Sequence, residues 1–199
     1  YIANIRGLML WVNMRPLQLH TAPFLIDAGF GMFRGHLAGA SWMSIFPEVW
    51  DKMFVDGTQL ATAPQHWWAA LPTGRWVHMH IQPLKVFEDD VTLMARTPFY
   101  GGHHVAGRLS EVMMWSWNLD ASVVAGIARL RGWDQFPNHI SGIQAYYPLE
   151  EGGGAEVHEI FQTHPPGQMF GSPVWIEDQA DTPGGFKPLR VIAPRCGVL

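Results

Sequence analysis

Charge is scarce in this sequence. Lys, Arg, Asp and Glu make up 15% of its 199 residues, against about 25% in an ordinary globular domain. So few charges leave part of a domain surface without polar cover, which favours a surface that meets a partner. No Lys/Arg cluster is present and the net charge is −4. That excludes the basic stripe by which a nucleic-acid binder neutralises phosphates. Cysteine is almost missing: Cys196 is the single one, so no internal disulfide can form. Long apolar runs are missing too. Runs such as Gly7 to Val12 and Val112 to Trp115 fall far short of the roughly 20 residues of a membrane-spanning helix. No signal-peptide pattern opens the chain, which leaves its address open.

Hydrophobic residues are abundant at 48%, with 10 Trp, and 21 Gly and 15 Pro punctuate them. An apolar share of this size excludes disorder, and the turn residues argue against a helical bundle. The chain holds no internal repeat and no low-complexity tract, and its length suits one domain with an extension. Short strand-like runs follow one another: Gly7 to Met14, Phe24 to Ala28, Ser41 to Phe46, Arg75 to Ile81, Val91 to Arg96 and Gly107 to Trp117. Met53-Phe54-Val55, Asp56-Gly57 and Thr58-Gln59-Leu60 read as a hairpin, because Asp-Gly tolerates the positive φ of a type I′ turn. In the Arg75 to Ile81 run, Trp76, His78 and His80 share one face and Val77, Met79 and Ile81 the other. One helix is expected over Ala121 to Arg131. Asp120 is its N-cap, Val123, Val124, Ile127 and Leu130 form its apolar face, and Gly132 ends it. Later strands are expected at Ile143 to Leu149, Gly171 to Ile176 and Leu189 to Ala193. The pattern is mainly β, an antiparallel sandwich with one short helix near 121–131.

Three stretches carry a family resemblance. The first, Gly7 to Gly29, holds an early Trp11-Val12 strand. The second, Leu71 to Ile81 with Val91 to Met94, holds Gly74-x-Trp76-x-His78. The third, Gly107 to Leu130, holds Gly107-x-Leu109-x-Glu111-Val112 and then Leu119-Asp120-x-x-x-Val124, a strand leading through a cap into a helix. Together with Ile143 to Trp175 they resemble the laminin-G-like, concanavalin A-like lectin/glucanase superfamily, over most of the chain. The resemblance implies a two-sheet antiparallel jelly roll over residues 1–176. Residues 143–176 close it as a late strand pair, and residues 177–199 form a C-terminal extension. It also implies an extracellular or organelle-lumenal location.

Several chemistries compete for these residues. Sugar-cleaving enzymes of this fold bring two or three carboxylates together, but no Glu-x-Asp-x-Glu strand is present. Glu111 stands alone, Glu48 and Asp51 read as a turn, and Glu88-Asp89-Asp90 as a charged hairpin turn. A glycoside hydrolase or lyase is therefore the minority reading. His78 and His80, with His103 and His104 in a Gly-flanked loop, have spacing that could present imidazoles to a metal or ligand. Against this, no further ligand is spaced to join them, and a solvated sheet face explains the first two. Family members often carry calcium at the rim, and Asp89, Asp90 and Asp120 are the oxygen donors on offer; no cofactor is required. Trp67, Trp68, Trp76, Trp115 and Trp117 could serve as sugar platforms. Trp76 and Trp115 read better as core, and Met113-Met114 as core filler. Trp67 and Trp68, adjacent on a strand, cannot both face inward. Cys196 has no base beside it in any motif.

The ligand-binding candidates are thus Trp67, Trp68, His78, His80, His103 and His104. The expected function is a non-catalytic binding module for extracellular glycans, glycoproteins or proteins. The alternative is a structural accessory subunit held in a large, membrane-associated assembly.

Overall fold

A computed structural model describes residues 2–16, 24–28, 31–34, 50–63, 66–89, 91–94, 105–130, 141–149, 151, 153–169, 174–177 and 189–192. The strands β1 (Ile2–Ile5), β2 (Gly7–Met14), β3 (Phe24–Ala28), β4 (Gly31–Arg34), β5 (Trp50–Val55) and β6 (Thr58–Gln59) come first. A four-residue helix α1 (Trp67–Ala70) leads to β7 (Val77–Pro83), β8 (Phe87–Asp89), β9 (Thr92–Leu93) and β10 (Gly107–Trp115). Then follow α2 (Ala121–Ile127), β11 (Ile143–Tyr147), β12 (Glu156–Val157), β13 (Gly167–Gln168), β14 (Val174–Glu177) and β15 (Leu189–Ile192).

An eight-stranded antiparallel sheet in the order β14-β15-β10-β2-β7-β5-β6 organises the chain, with β11 also pairing β10. One long edge of β10 is shared: β15 takes Arg108 and Leu109, and β11 takes Val112 to Trp115. Smaller sheets are β1-β8, β12-β13 and β4-β3-β9. The late strands expected from the sequence therefore join the central sheet, and β15 does so from within the expected extension. The fold is mainly β and sandwich-like. Ser41 to Phe46 and Gly132 lie outside the described residues.

Period-two alternation gives the central sheet two faces. Leu8, Leu10, Val12, Val77, Met79, Ile81, Val112 and Met114 pack on the first, under Leu25 and Ile26 of β3 and Met94. Met9, Phe54, Met113, Trp115 and Tyr146 pack on the second, under Leu119 and the Val124–Ile127 stripe of α2. The helix is shorter than the expected 121–131. Asp120 has an extended backbone, φ −66° and ψ 150°, but its side chain makes no capping bond.

The Asp-Gly hairpin forms as expected, with φ +50° at Asp56 and +80° at Gly57. Gly57 is also required by packing, since a Cβ there would fall 2.8 Å from Ala125 Cα of α2. Asp56 ties the turn to β7: its Oδ1 accepts from His78 N at 3.0 Å, and its own N–H donates to His78 O at 2.8 Å. In β10 the register against β2 shifts between Ser110 and Met113. Glu111 at that bulge has φ +49°, the left-handed geometry by which an extra residue is absorbed. No helix among the described residues is long and apolar enough to cross a membrane.

Candidate functional site

His78 and His80 share one face, as their spacing requires, but that face is closed. Both are fully buried, together with Gln82 and Ser110. The expectation of a solvated sheet face is corrected here: α2 and the 116–120 loop cover it. His78 meets Trp11 edge-on at 5.2 Å between ring centroids, and His80 meets Phe54 at 5.8 Å. Gly7 makes room for His80, because a Cβ there would lie 2.9 Å from its Cε1. Burial lowers the His78 pKa to about 4, against the opposing pull of Asp56. Burial, helped by His78, lowers that of His80 to about 3. Both rings are neutral at physiological pH.

The hydrogen bonds fix how His80 is protonated. Gln82 Nε2 lies 2.8 Å from Leu119 O, which can only accept. The same nitrogen lies 3.1 Å from His80 Nε2. Both amide protons are therefore donated, His80 Nε2 is an acceptor, and the imidazole carries its hydrogen on Nδ1. Among the described residues, His80 Nδ1, Gln82 Oε1 and both ring nitrogens of His78 find no hydrogen-bond partner. Among the described residues no three His, Cys, Asp or Glu side chains gather as a metal site.

The other sequence candidates are dispersed. Trp67 lies on α1 rather than on a strand. It is buried and donates from Nε1 to Thr62 O at 2.7 Å. Trp68 is on the same short helix. His103, His104, Glu48 and Asp90 lie outside the described residues. Glu111 is buried on β10, while Asp51 and Asp120 are exposed. Asp51 stands 3.8 Å from Lys52 Nζ in an exposed pair. Trp76 and Trp115 are core, as are Met113 and Met114.

Two features were not singled out by sequence reasoning. Nothing in the sequence separates Trp117 from the other tryptophans, yet among those whose burial is described it stands out as 43% exposed. Its indole lies flat on Gly142, whose Cβ, if present, would fall 2.6 Å from Trp117 Cε2 and 2.8 Å from Cδ2 and Cζ2. Gly142 has φ +86°, and its carbonyl accepts from Ser116 N at 2.8 Å and Ser116 Oγ at 3.1 Å. The ring is thus braced on one face and partly exposed to solvent, with Asn118, Asp120 and Ser141 exposed in the same segments. Leu84, Ile160 and Phe161 are further exposed apolar side chains.

The second feature is Glu159, a buried carboxylate. Its Oε1 accepts from Tyr146 N at 3.1 Å and Phe161 N at 3.0 Å, and its Oε2 from Thr163 N at 3.0 Å and Thr163 Oγ1 at 3.2 Å. Burial pulls its pKa up, but these four bonds prevail and hold it below 4.5. It closes a turn against the outer edge of β11, where Ile160 N also donates to Tyr146 O at 2.9 Å.

Comparison with protein-family models, with curated proteins and with solved structures gives no significant match.

Proposed function

We propose that this chain is a non-catalytic interaction module of laminin-G-like type that recognises its ligand at the rim of the sandwich. The braced, outward-facing ring of Trp117 carries this reading. An indole face is electron-rich and flat, so it attracts the polarised C–H groups of a sugar ring. The exposed Asn118, Asp120 and Ser141 supply polar groups of the kind that fix a hydroxylated ligand. Both faces of the central sheet are packed, which leaves recognition to rim segments. The ligand class favoured is carbohydrate, free or on a glycoprotein.

Binding of the purified chain to a glycan array tests this. Trp117→Ala is expected to lower the signal at least 10-fold on every glycan bound by the wild type, with the thermal midpoint nearly unchanged. Equal binding by both proteins removes Trp117 from the site, and an array with no binder removes the carbohydrate reading.

An accessory subunit of a larger assembly is the second reading. It is favoured by the 15% charge content and by Leu84, Ile160 and Phe161, which are 53%, 40% and 40% exposed. It predicts that the native chain migrates far above 22.4 kDa with companion proteins. Migration as a monomer contradicts it.

A further inference from the structure

We propose that Gln82 is a proton-operated latch, holding the 116–120 loop and the start of α2 on the central sheet until His80 takes up a proton. The latch follows from one shared atom. Gln82 Nε2 bridges His80 Nε2 at 3.1 Å and Leu119 O at 2.8 Å. Leu119 immediately precedes Asp120, the first residue of the α2 cap. While His80 is neutral it accepts, and both amide protons are used. A proton from solvent, placed on His80 Nε2, turns that acceptor into a donor facing another donor.

The amide can answer only by rotating to present Oε1. The carboxamide oxygen then stands opposite Leu119 O, two acceptors face each other, and the tie to the loop is lost. Among the described residues no carboxylate acts on His80 to offset the new charge. His80 Nδ1 already lacks a partner, and so do both ring nitrogens of His78. Opening the loop admits water to the imidazolium, so proton uptake and release of α2 favour each other.

The charged groups on the elements around His80 do not replace this role. β2 carries none. β5 carries Asp51 and Lys52, and the β5–β6 turn carries Asp56, engaged with Arg75 at 2.7 Å. β10 carries Arg108 and Glu111, while Asp120 and Arg129 flank α2 in exposed positions. Of the described groups, His78 is the one that acts electrostatically on His80, and it opposes protonation. Asp56 acts on His78 instead.

Amide hydrogen exchange of the whole chain from pH 8 to pH 5, corrected for the intrinsic rate, tests the latch. An exposed histidine titrates near 6.5 and the latched one near 3. Linkage then raises the open population about 30-fold at pH 5. The amides of Val124 and Ala128, bonded to Asp120 O and Val124 O, should lose protection by that factor while the β2–β7 amides stay protected. His80→Leu should flatten the pH dependence. Gln82→Met should exchange fast in α2 already at pH 8. The latch is overturned if the wild-type α2 amides hold their protection at pH 5, or if helix and sheet open in a single step. It is also overturned if Gln82→Met exchanges like the wild type at pH 8.

Discussion

Glu159 shows how one side chain can set a local structure. A segment that met the edge of β11 without it would leave the N–H groups of Tyr146, Phe161 and Thr163 to find other acceptors. A carboxylate satisfies all three and a hydroxyl besides. Hydrogen bonds to a charged group contribute about 1.5–3 kcal/mol, and orphaned buried donors cost a similar amount. Glu159→Ala should therefore lower unfolding stability by about 3 kcal/mol, read as a fall in the urea midpoint with unchanged slope. Glu159→Gln, which keeps one acceptor, should lose less. Because the folded-state pKa is depressed, this contribution is present above the ordinary value of 4.5 and is lost as pH falls through the folded-state value. A variant as stable as the wild type at pH 7 would show that the cradle contributes nothing.

Among the elements, those with a local signature were legible in the sequence. A turn-bounded apolar run marked β2, and the Val77-Met79-Ile81 alternation after Gly74 placed β7 to within two residues. Asp56-Gly57 announced its turn, since both positions need positive φ. The boundaries of α2 were less accessible. Arg129 and Leu130 continue its pattern, but their amides bond three residues back, to Gly126 O and Ile127 O, which ends the α-helix early. The strands β1, β8, β12 and β13 are two to four residues long, too short to carry a periodicity, and β1 and β8 are defined by a partner distant in sequence. The burial of His78 and His80 was not legible for a related reason. Alternation assigns them to a face, but only the packing of α2 closes it. Trp117 was named without being distinguished, because its bracing depends on Gly142, far along the chain.

The contact between hairpin and helix gives a prediction at this scale. At Gly57 an alanine meets both an unfavourable φ of +80° and the backbone of Ala125 at 2.8 Å. Gly57→Ala should destabilise by about 2 kcal/mol or more, and the α2 amides should lose protection before those of β2. An effect below about 0.5 kcal/mol would mean that α2 does not rest on the turn.

Over the whole molecule, two buried neutral histidines set the acid limit. Their pKa values are lowered on folding, so the unfolded chain binds more protons and stability rises with pH. The full contribution is present above 6.5 and is lost progressively below it, towards about 4 for His78 and about 3 for His80. At pH 5 each site costs about 2 kcal/mol relative to pH 8, about 4 kcal/mol together. That is a large part of the 5–15 kcal/mol of a typical domain. A urea midpoint that does not fall between pH 8 and pH 5 would contradict the burial of both rings.

Closed sheet faces and an open rim are also what the proposed function needs. Hydroxyl-radical footprinting with mass-spectrometric readout compares the tryptophans directly in the native chain. The account predicts rapid oxidation of Trp117 and protection of Trp50, Trp67, Trp76 and Trp115, with Trp117 becoming protected when an array-identified glycan is added. Oxidation of Trp67 or Trp76 as fast as that of Trp117, or a Trp117 whose rate ignores the bound glycan, would contradict it.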